Sequence, residues 1–383
     1  MMNRRQALSL SAAGLLAACE TTSMGGVGTP PGPSLNDLAR AKGMRFGSAV
    51  AAGGPGTGTT TLDDPRYRQV LAHECGLLVH ENELKWYVLR PDVDTYDYAR
   101  ADRIMDFASA HGMDVRGHTL LWHHPRWFPG WIETHDYGAR PAAEAERLVV
   151  EHINAVIGRY GDRIKSWDVV NETVDADTGA LRQTALSRHL GDQEIVDLAF
   201  HTARAAAPDA QLVYNDYMSW EAGHEAHQAG VLRLLEGMKA RGVPIDALGV
   251  QSHIGSGNSD DSVGFDTARE GNWRRFMDEV TGMGLDIVIS EFDVHDKNLP
   301  ADIPSRDRAV AELARRYLDL MFSYPQTRDV LAWGMVDSYS WLQGNWPRAD
   351  GIAKRPTPYD ADFQPKPLRQ AIADAFIAAP ARG

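Results

Sequence analysis

Short apolar runs alternate with longer amphipathic stretches along most of this chain. The runs are MRFGSAV (44–50), GLLVHEN (76–82), DVRGHTLLW (114–122), IKSWDVVNE (164–172), QLVYNDY (211–217), ALGVQSH (247–253), DIVISEFDV (286–294) and VLAWGMVD (330–337). Each has the length of a strand, and unbroken apolar character is what strands covered on both faces show. The intervening stretches repeat at helical spacing. In 143–160, Leu148, Val149, His152, Ile153, Val156, Ile157 and Tyr160 share one face. In 305–325, Val310, Leu313, Ala314, Tyr317, Leu318 and Met321 do the same. Weaker helical patterns fill the other gaps and end near 364–377. Eight strands, each followed by a helix, predict an α/β fold of the TIM (β/α)8 barrel type, as a single domain over residues 36–383. A doubly wound open sheet is the alternative, and it places a glycine-rich phosphate turn after its first strand. AAGGPGTGTT (51–60) is glycine-rich there, but it lacks GxGxxG spacing and precedes no immediate helix. It reads as a mobile loop.

The N-terminus follows another pattern. Arg4 and Arg5 precede an apolar, small-residue segment at 7–18, too short to span a bilayer. NRRQALSL resembles a loose twin-arginine export signal. LAAC (16–19) resembles a bacterial lipoprotein box, which implies a signal peptide over 1–18 and a lipid on Cys19. A plain secretory signal cut nearby is the alternative. Glu20 after the cysteine, in place of Asp, favours the outer membrane, on its periplasmic or cell-surface side. Residues 19–35 are rich in Gly, Pro, Ser and Thr and read as a flexible tether. No run of 18 apolar residues occurs after it, so the membrane would be met only through that lipid.

Composition is that of a globular protein, with 43% hydrophobic and 24% charged residues. The formal charge of −13 excludes a nucleic-acid backbone as partner, because phosphate binding needs clustered Lys and Arg. Removing 1–18 takes two arginines and no acid, leaving −15. Besides Cys19 only Cys75 remains, so no internal disulfide is possible if Cys19 is lipidated. Cys75, before GLLV, is expected to pack as a small hydrophobe.

Functional groups of such a barrel gather at the C-terminal ends of its strands. Here those ends carry Glu81, Asn82 and Lys85; His118, Trp122 and His123; Asn171 and Glu172; Asn215 and Asp216; Gln251 and His253; Glu291 and Asp293; Trp333, Asp337 and Trp341. Helix capping explains one Asn or Asp per loop. It does not explain acids, amides, imidazoles and indoles at nearly every end. Glu172 and Glu291 finish the fourth and seventh runs. Paired carboxylates across a barrel mouth suit glycoside hydrolysis, one giving a proton to the leaving oxygen and one attacking the anomeric carbon. The donor needs a raised pKa, and the nucleophile must stay ionised with help from a donor such as His253. Tryptophans offer flat faces to sugar rings.

With these residues in view, the chain resembles glycoside hydrolase family ten, the retaining endo-β-1,4-xylanases. WDVVNE (167–172) resembles that family's acid/base strand and GLDIVISEFDV (284–294) its nucleophile signature. ENELKW (81–86), GHTLLWH (117–123), YNDY (214–217), GVQSH (249–253) and WGMVDSYSW (333–341) fall in the family's order over roughly 45–375. The resemblance implies Glu172 as acid/base and Glu291 as nucleophile, with His253 bonded to Glu291 and Asp293 holding His253. It implies Asn171 on the 2-hydroxyl of the sugar at the cleavage point. Glu81, Asn82, Lys85, His118 and Gln251 would bind hydroxyls on the non-reducing side, and Trp122 would also meet substrate. Trp333 and Trp341 would floor and wall the cleft, Trp341 crowding the space of a hexose CH2OH. It implies xylan as the polysaccharide partner, no metal and no organic cofactor. A monomer is expected.

The chain departs from that pattern at four places. Phe292 follows the nucleophile where an aliphatic or Tyr is usual, Met218 follows YNDY where Asn is common, and His80 precedes Glu81 where a small residue is usual. WHHPRWF (122–128) is shorter than the family's W-H-x-Q-x-P-x-W and lacks its Gln. Other readings of the rim are a cellulase or mixed glucanase, a metal-dependent hydrolase built on His118, His123, His124 or His253, and a non-catalytic polysaccharide-binding lipoprotein. Metal-dependent barrels start with H-x-H on the first strand, which MRFGSAV lacks. Loss of either glutamate would favour the binding protein, and both are present.

Overall fold

Among the described residues nine parallel-paired strands carry the fold: β1 (Arg45–Val50), β2 (Leu77–His80), β3 (Asp114–Trp122), β4 (Ile164–Asn171), β5 (Gln211–Asp216), β6 (Ala247–Val250), β7 (His253–Ile254), β8 (Asp286–Val294) and β9 (Thr327–Ala332). In the computed structural model of the chain, which describes residues 26–28, 32–53, 60–255 and 267–382, eight of them close into the expected barrel. The circuit runs β1–β2–β3–β4–β5–β6–β8–β9 and back to β1. The two-residue β7 stands outside it, paired to the last residues of β8, His253 against Asp293 and Ile254 against Val294. The export segment, Cys19 and residues 54–59 of the glycine-rich stretch lie outside the described residues.

The helices form where the periodicity places them. The helix Pro141–Tyr160 begins on a proline, stops at Gly161 and buries the predicted stripe with Ala145 added. The helix Ile303–Phe322 is capped by Asp302, whose carboxylate accepts the Ser305 N–H, and it buries Val310, Ala314, Tyr317, Leu318 and Met321. Among the described residues no helix is long and apolar enough to cross a membrane.

Residues 34 and 35, placed in the expected tether, belong instead to the start of a helix. Ser34 caps a helix Leu35–Arg40 through a reciprocal bond pair with Asp37, and Leu35 is buried. The Leu35 N–H also reaches the buried carboxylate of Glu74 at 2.7 Å. That carboxylate accepts the Tyr359 hydroxyl at 2.5 Å and the Arg369 guanidinium at 2.9 Å. One buried acid thus ties the start of the barrel to the closing helix Pro367–Ala378. Cys75 is buried in the same apolar layer, as expected, and burial raises its thiol well above the ordinary range.

The apolar core sits in two places. Between sheet and helices lies the larger cluster, which includes Trp167, Val169 and Val170 of β4. A smaller cluster of Ala49, Leu77, Val79, Val213, Ala247, Val288, Leu331 and Trp333 fills the barrel from six other strands. On β4 the apolar side chains Trp167, Val169 and Val170 therefore lie in the outer layer, and the barrel interior receives polar ones. Trp167 faces the helices, and the ring lies so close to β3 that a Cβ on Gly117 would be 2.1 Å from it. The inward positions Ser166 and Asp168 are polar, and buried Arg116 from β3 bonds both, at 3.1 and 2.7 Å. Alternation sets the faces as far as Asp168, and a register irregularity at Val169 then leaves both Val169 and Val170 in the outer layer.

Candidate active site

Asn171 is the last residue of β4, and Glu172 follows it with φ of 55°. A side chain rarely adopts that left-handed backbone. It turns the carboxylate across the mouth, where Glu172 Oε1 accepts the Gln251 amide at 2.8 Å and Oε2 accepts the Trp122 indole N–H at 2.9 Å. Ser252 does the same for the far side. Its φ is 65°, its hydroxyl is held by Val250 O and Tyr317 OH, and the chain turns so that His253 pairs with the β8 extension.

Glu291 lies buried on β8. Its Oε1 accepts the Asn215 amide at 2.8 Å, and its Oε2 meets His253 Nε2 at 3.2 Å. His253 Nδ1 sits 2.9 Å from Asp293 Oδ1, and Asp293 Oδ2 accepts the Trp341 indole N–H at 2.8 Å. His118 stands 4.0 Å from Glu291 Oε1 and 3.0 Å from Asp168 Oδ2. The two glutamates are joined by three amides. Gln251 reaches from Glu172 to Asn171 Oδ1 at 3.4 Å, and Asn215 donates both to that oxygen, at 2.9 Å, and to Glu291.

The environment drives their proton affinities apart. Burial pushes Glu172 up, the Asp216 and Glu291 carboxylates add to it, and the Gln251 and Trp122 bonds only partly oppose; the net shift is upward. Burial also works against the charge on Glu291, but the His253 bond, the His118 and His253 imidazoles and the Lys85 ammonium outweigh it and lower its pKa. For His253, burial opposes charge, and the Asp293 and Glu291 carboxylates overcome it, so its pKa rises. A carboxyl with raised proton affinity thus faces one with lowered proton affinity.

The other candidates converge on the same mouth. Lys85, buried, donates to Asn82 Oδ1 at 3.1 Å and stands 4.5 Å over the Trp122 ring and 6.0 Å from Trp333. Burial lowers its pKa against the pull of Glu291, Glu81 and Glu172. Burial raises Glu81 to about 7, with Glu83 adding to the effect. The His118 and His253 rings both meet Trp333 edge-on, at 5.5 and 6.3 Å. The Gln251 amide is held between Glu172 and Asn171, at 2.8 and 3.4 Å, so it also positions the acid. The Asn171 amide nitrogen, by contrast, is buried with no protein partner, a donor left for a ligand.

Four departures find physical places. His80 points to the helix layer, its Nε2 3.2 Å from Ala101 O, and burial lowers its pKa to about 4. Phe292 lies parallel to Tyr317 at 6.2 Å, and Met218 is buried in the outer core. In the short segment after β3, His124 accepts the Arg126 N–H, and Trp127 folds back to stack on Trp122 at 4.8 Å. His123 is buried between Thr173 and Thr184, and burial lowers it to about 3.

Asn215, a polar strand end in the sequence, stands opposite Asn171 in the β4–β5 register, and that pairing gives it the bridging role. Ser290, whose hydroxyl donates to Asn215 Oδ1 at 2.6 Å, carries no such mark.

The profile of glycosyl hydrolase family 10 matches residues 34–375. This chain belongs to glycosyl hydrolase family 10. Endo-1,4-beta-xylanase B of Thermotoga neapolitana is 31% identical over 310 residues, 81% of this chain and 83% of the relative. Among solved structures, native xylanase 10B from Thermotoga maritima superposes with a TM-score of 0.76 at 30% identity, covering 90% of this chain and 98% of that one. Xylanase 10B from Thermotoga petrophila RKU-1, solved in complex with xylobiose, gives 0.76 at 29% identity over 91% and 98%. The family-10 barrel therefore accounts for the fold.

The raised Glu81 carboxyl carries a stability prediction. The protonated form is favoured in the folded state, so its contribution is full below about pH 4.5 and is lost as pH rises through about 7. Glu81→Gln stays neutral throughout. The urea midpoint of Glu81→Gln minus that of the wild type should grow between pH 5 and 8; a difference flat across that window contradicts the assignment.

Proposed function

We propose that this chain is an endo-1,4-β-xylanase that cleaves internal xylosidic bonds with retention, Glu172 serving as acid/base and Glu291 as nucleophile. The observation that carries the reading is the pair of carboxyls in one mouth with opposed proton affinities, linked by Gln251, Asn171 and Asn215. Family membership and the relatives' names point the same way.

In the first step Glu291 attacks the anomeric carbon as the bond to the leaving oxygen breaks, and Glu172 passes its proton to that oxygen. In the second step Glu172, now ionised, takes a proton from water. The water oxygen bonds to the anomeric carbon and displaces Glu291. His253 and Asn215 hold the Glu291 oxygens, and Asp293 in turn holds His253. The free Asn171 amide suits a sugar hydroxyl beside the reacting carbon. Retention calls for carboxyls about 5–5.5 Å apart. Trp341, fixed by its bond to Asp293, supports a preference for xylose by filling the space a hexose CH2OH needs.

We also infer an exported, lipid-anchored protein of the outer membrane from LAAC at 16–19 and Glu20. Cys19→Ala should move the protein from the membrane fraction to the soluble one; membrane association that persists would show another anchor.

Activity should fall on the alkaline side as Glu172 loses its proton and on the acid side as Glu291 gains one. Glu172→Ala should reduce xylan hydrolysis by at least about 10²–10⁴-fold, the usual worth of a positioned proton donor. It should spare the first step on aryl xylobiosides with good leaving groups and erase the alkaline limb of that step. Equal loss on xylan and on activated aryl glycosides would remove Glu172 from the acid role.

A further inference from the structure

Beyond Trp341 the chain makes a loop with an unusual feature. Trp346 is 57% exposed, and it is the one aromatic among the large hydrophobic side chains standing in solvent in the described residues. Ile352 of the same loop is exposed as well. Single exposed apolar residues are common. Here, however, the support is rigid. Arg348, nearly buried, donates to the carbonyls of Asp296 and Leu299 and pairs with Asp350 at 2.6 Å. Gln343 donates to Lys354 O and accepts the Lys354 N–H, at 2.9 and 3.0 Å. Arg355 bonds Asp307 at 2.7 and 2.8 Å, and its N–H reaches Asp296. The loop is closed on itself by Gln343 and Lys354, and Arg348 and Arg355 tie it to the segment that follows β8.

An aromatic path joins this indole to the reaction centre. Trp333 meets His253 at 6.3 Å, His253 meets Trp341 at 5.0 Å, Trp341 meets His295 at 6.5 Å, and His295 meets Trp346 at 6.5 Å. His295 is nearly buried, and burial lowers its pKa to about 4, so the ring between the two indoles is neutral. We infer that Trp346 is an outlying sugar platform, taking the apolar face of a xylopyranosyl unit of the bound chain beyond those that flank the scissile bond. The inference rests on the xylan reading above. An indole offers a flat apolar face to ring C–H groups. Because the loop is already ordered, little of that contact is spent on ordering the protein.

The test uses the full chain with Trp346→Ala and Trp346→Phe. On an aryl β-xylobioside, which fills only positions near the scissile bond, kcat/KM should be unchanged. On xylohexaose, Trp346→Ala should lower kcat/KM about three- to tenfold through KM, the scale of one stacked-ring contact, and Trp346→Phe should recover most of it. Equal loss on both substrates, or no loss on either, overturns the platform. A second readout does not need turnover. Xylohexaose added to Glu172→Gln should shift tryptophan emission to the blue, and the shift should shrink when Trp346→Phe is added; an unchanged shift overturns the platform. Wild-type protein that cleaves neither substrate would overturn the xylanase reading, and the emission arm would still decide the platform.

Discussion

Two carboxyl groups buried at one barrel mouth cannot both be ionised without strong mutual repulsion. The site is organised around that constraint. Glu291 is given the partners of an anion: an amide, an imidazole and a nearby ammonium. Glu172 is given burial and a neighbouring carboxylate, Asp216, itself locked by the Tyr217 N–H and His227. Gln251, Asn171 and Asn215 keep the two at fixed separation without adding charge. Amides serve here because they donate and accept while staying neutral across the working pH range.

Backbone geometry delivers these groups. Left-handed turns at Glu172 and Ser252 and the extra length of β8 past the barrel bring three strand ends to one point. The polar interior contributes from below. Arg116 bonds Asp168, Asp168 bonds His118, and His118 stands at Glu291. A buried ion pair of this kind gives little net stability, and its worth here lies in fixing the His118 ring. Apolar residues fill the barrel from the other strands, and Trp333 joins that packing to the floor of the site.

The barrel and its helices were legible because burial imposes a period on the residues. The stripe of 141–160 and the unbroken β8 run are direct imprints of what each face touches. The two glutamates were legible through their place at strand ends and through family motifs. What stayed hidden depends on facing and pairing. On β4 the apolar residues could have pointed to either layer, and only closure with β3 and β5 decided that Ser166 and Asp168 turn inward. That the Gln251 amide holds Glu172 depends on the left-handed turn at Ser252, which no sequence pattern announces. Asn215 was one polar strand end among several until its two bonds were visible. Ser34 was hidden in a Pro- and Gly-rich context, although Ser34 with Asp37 is a capping signature in itself.

The central claim is that Glu291 is the ionised partner that bonds to carbon. It is tested most directly by trapping. A 2,4-dinitrophenyl 2-deoxy-2-fluoro-β-xylobioside supplies a good leaving group and slows release of the sugar from the protein. Peptide mapping by mass spectrometry then locates the attached disaccharide. The account predicts a single label on Glu291, in the peptide that carries ISEFDV. A label on Glu172, or inactivation with no covalent sugar, would contradict it.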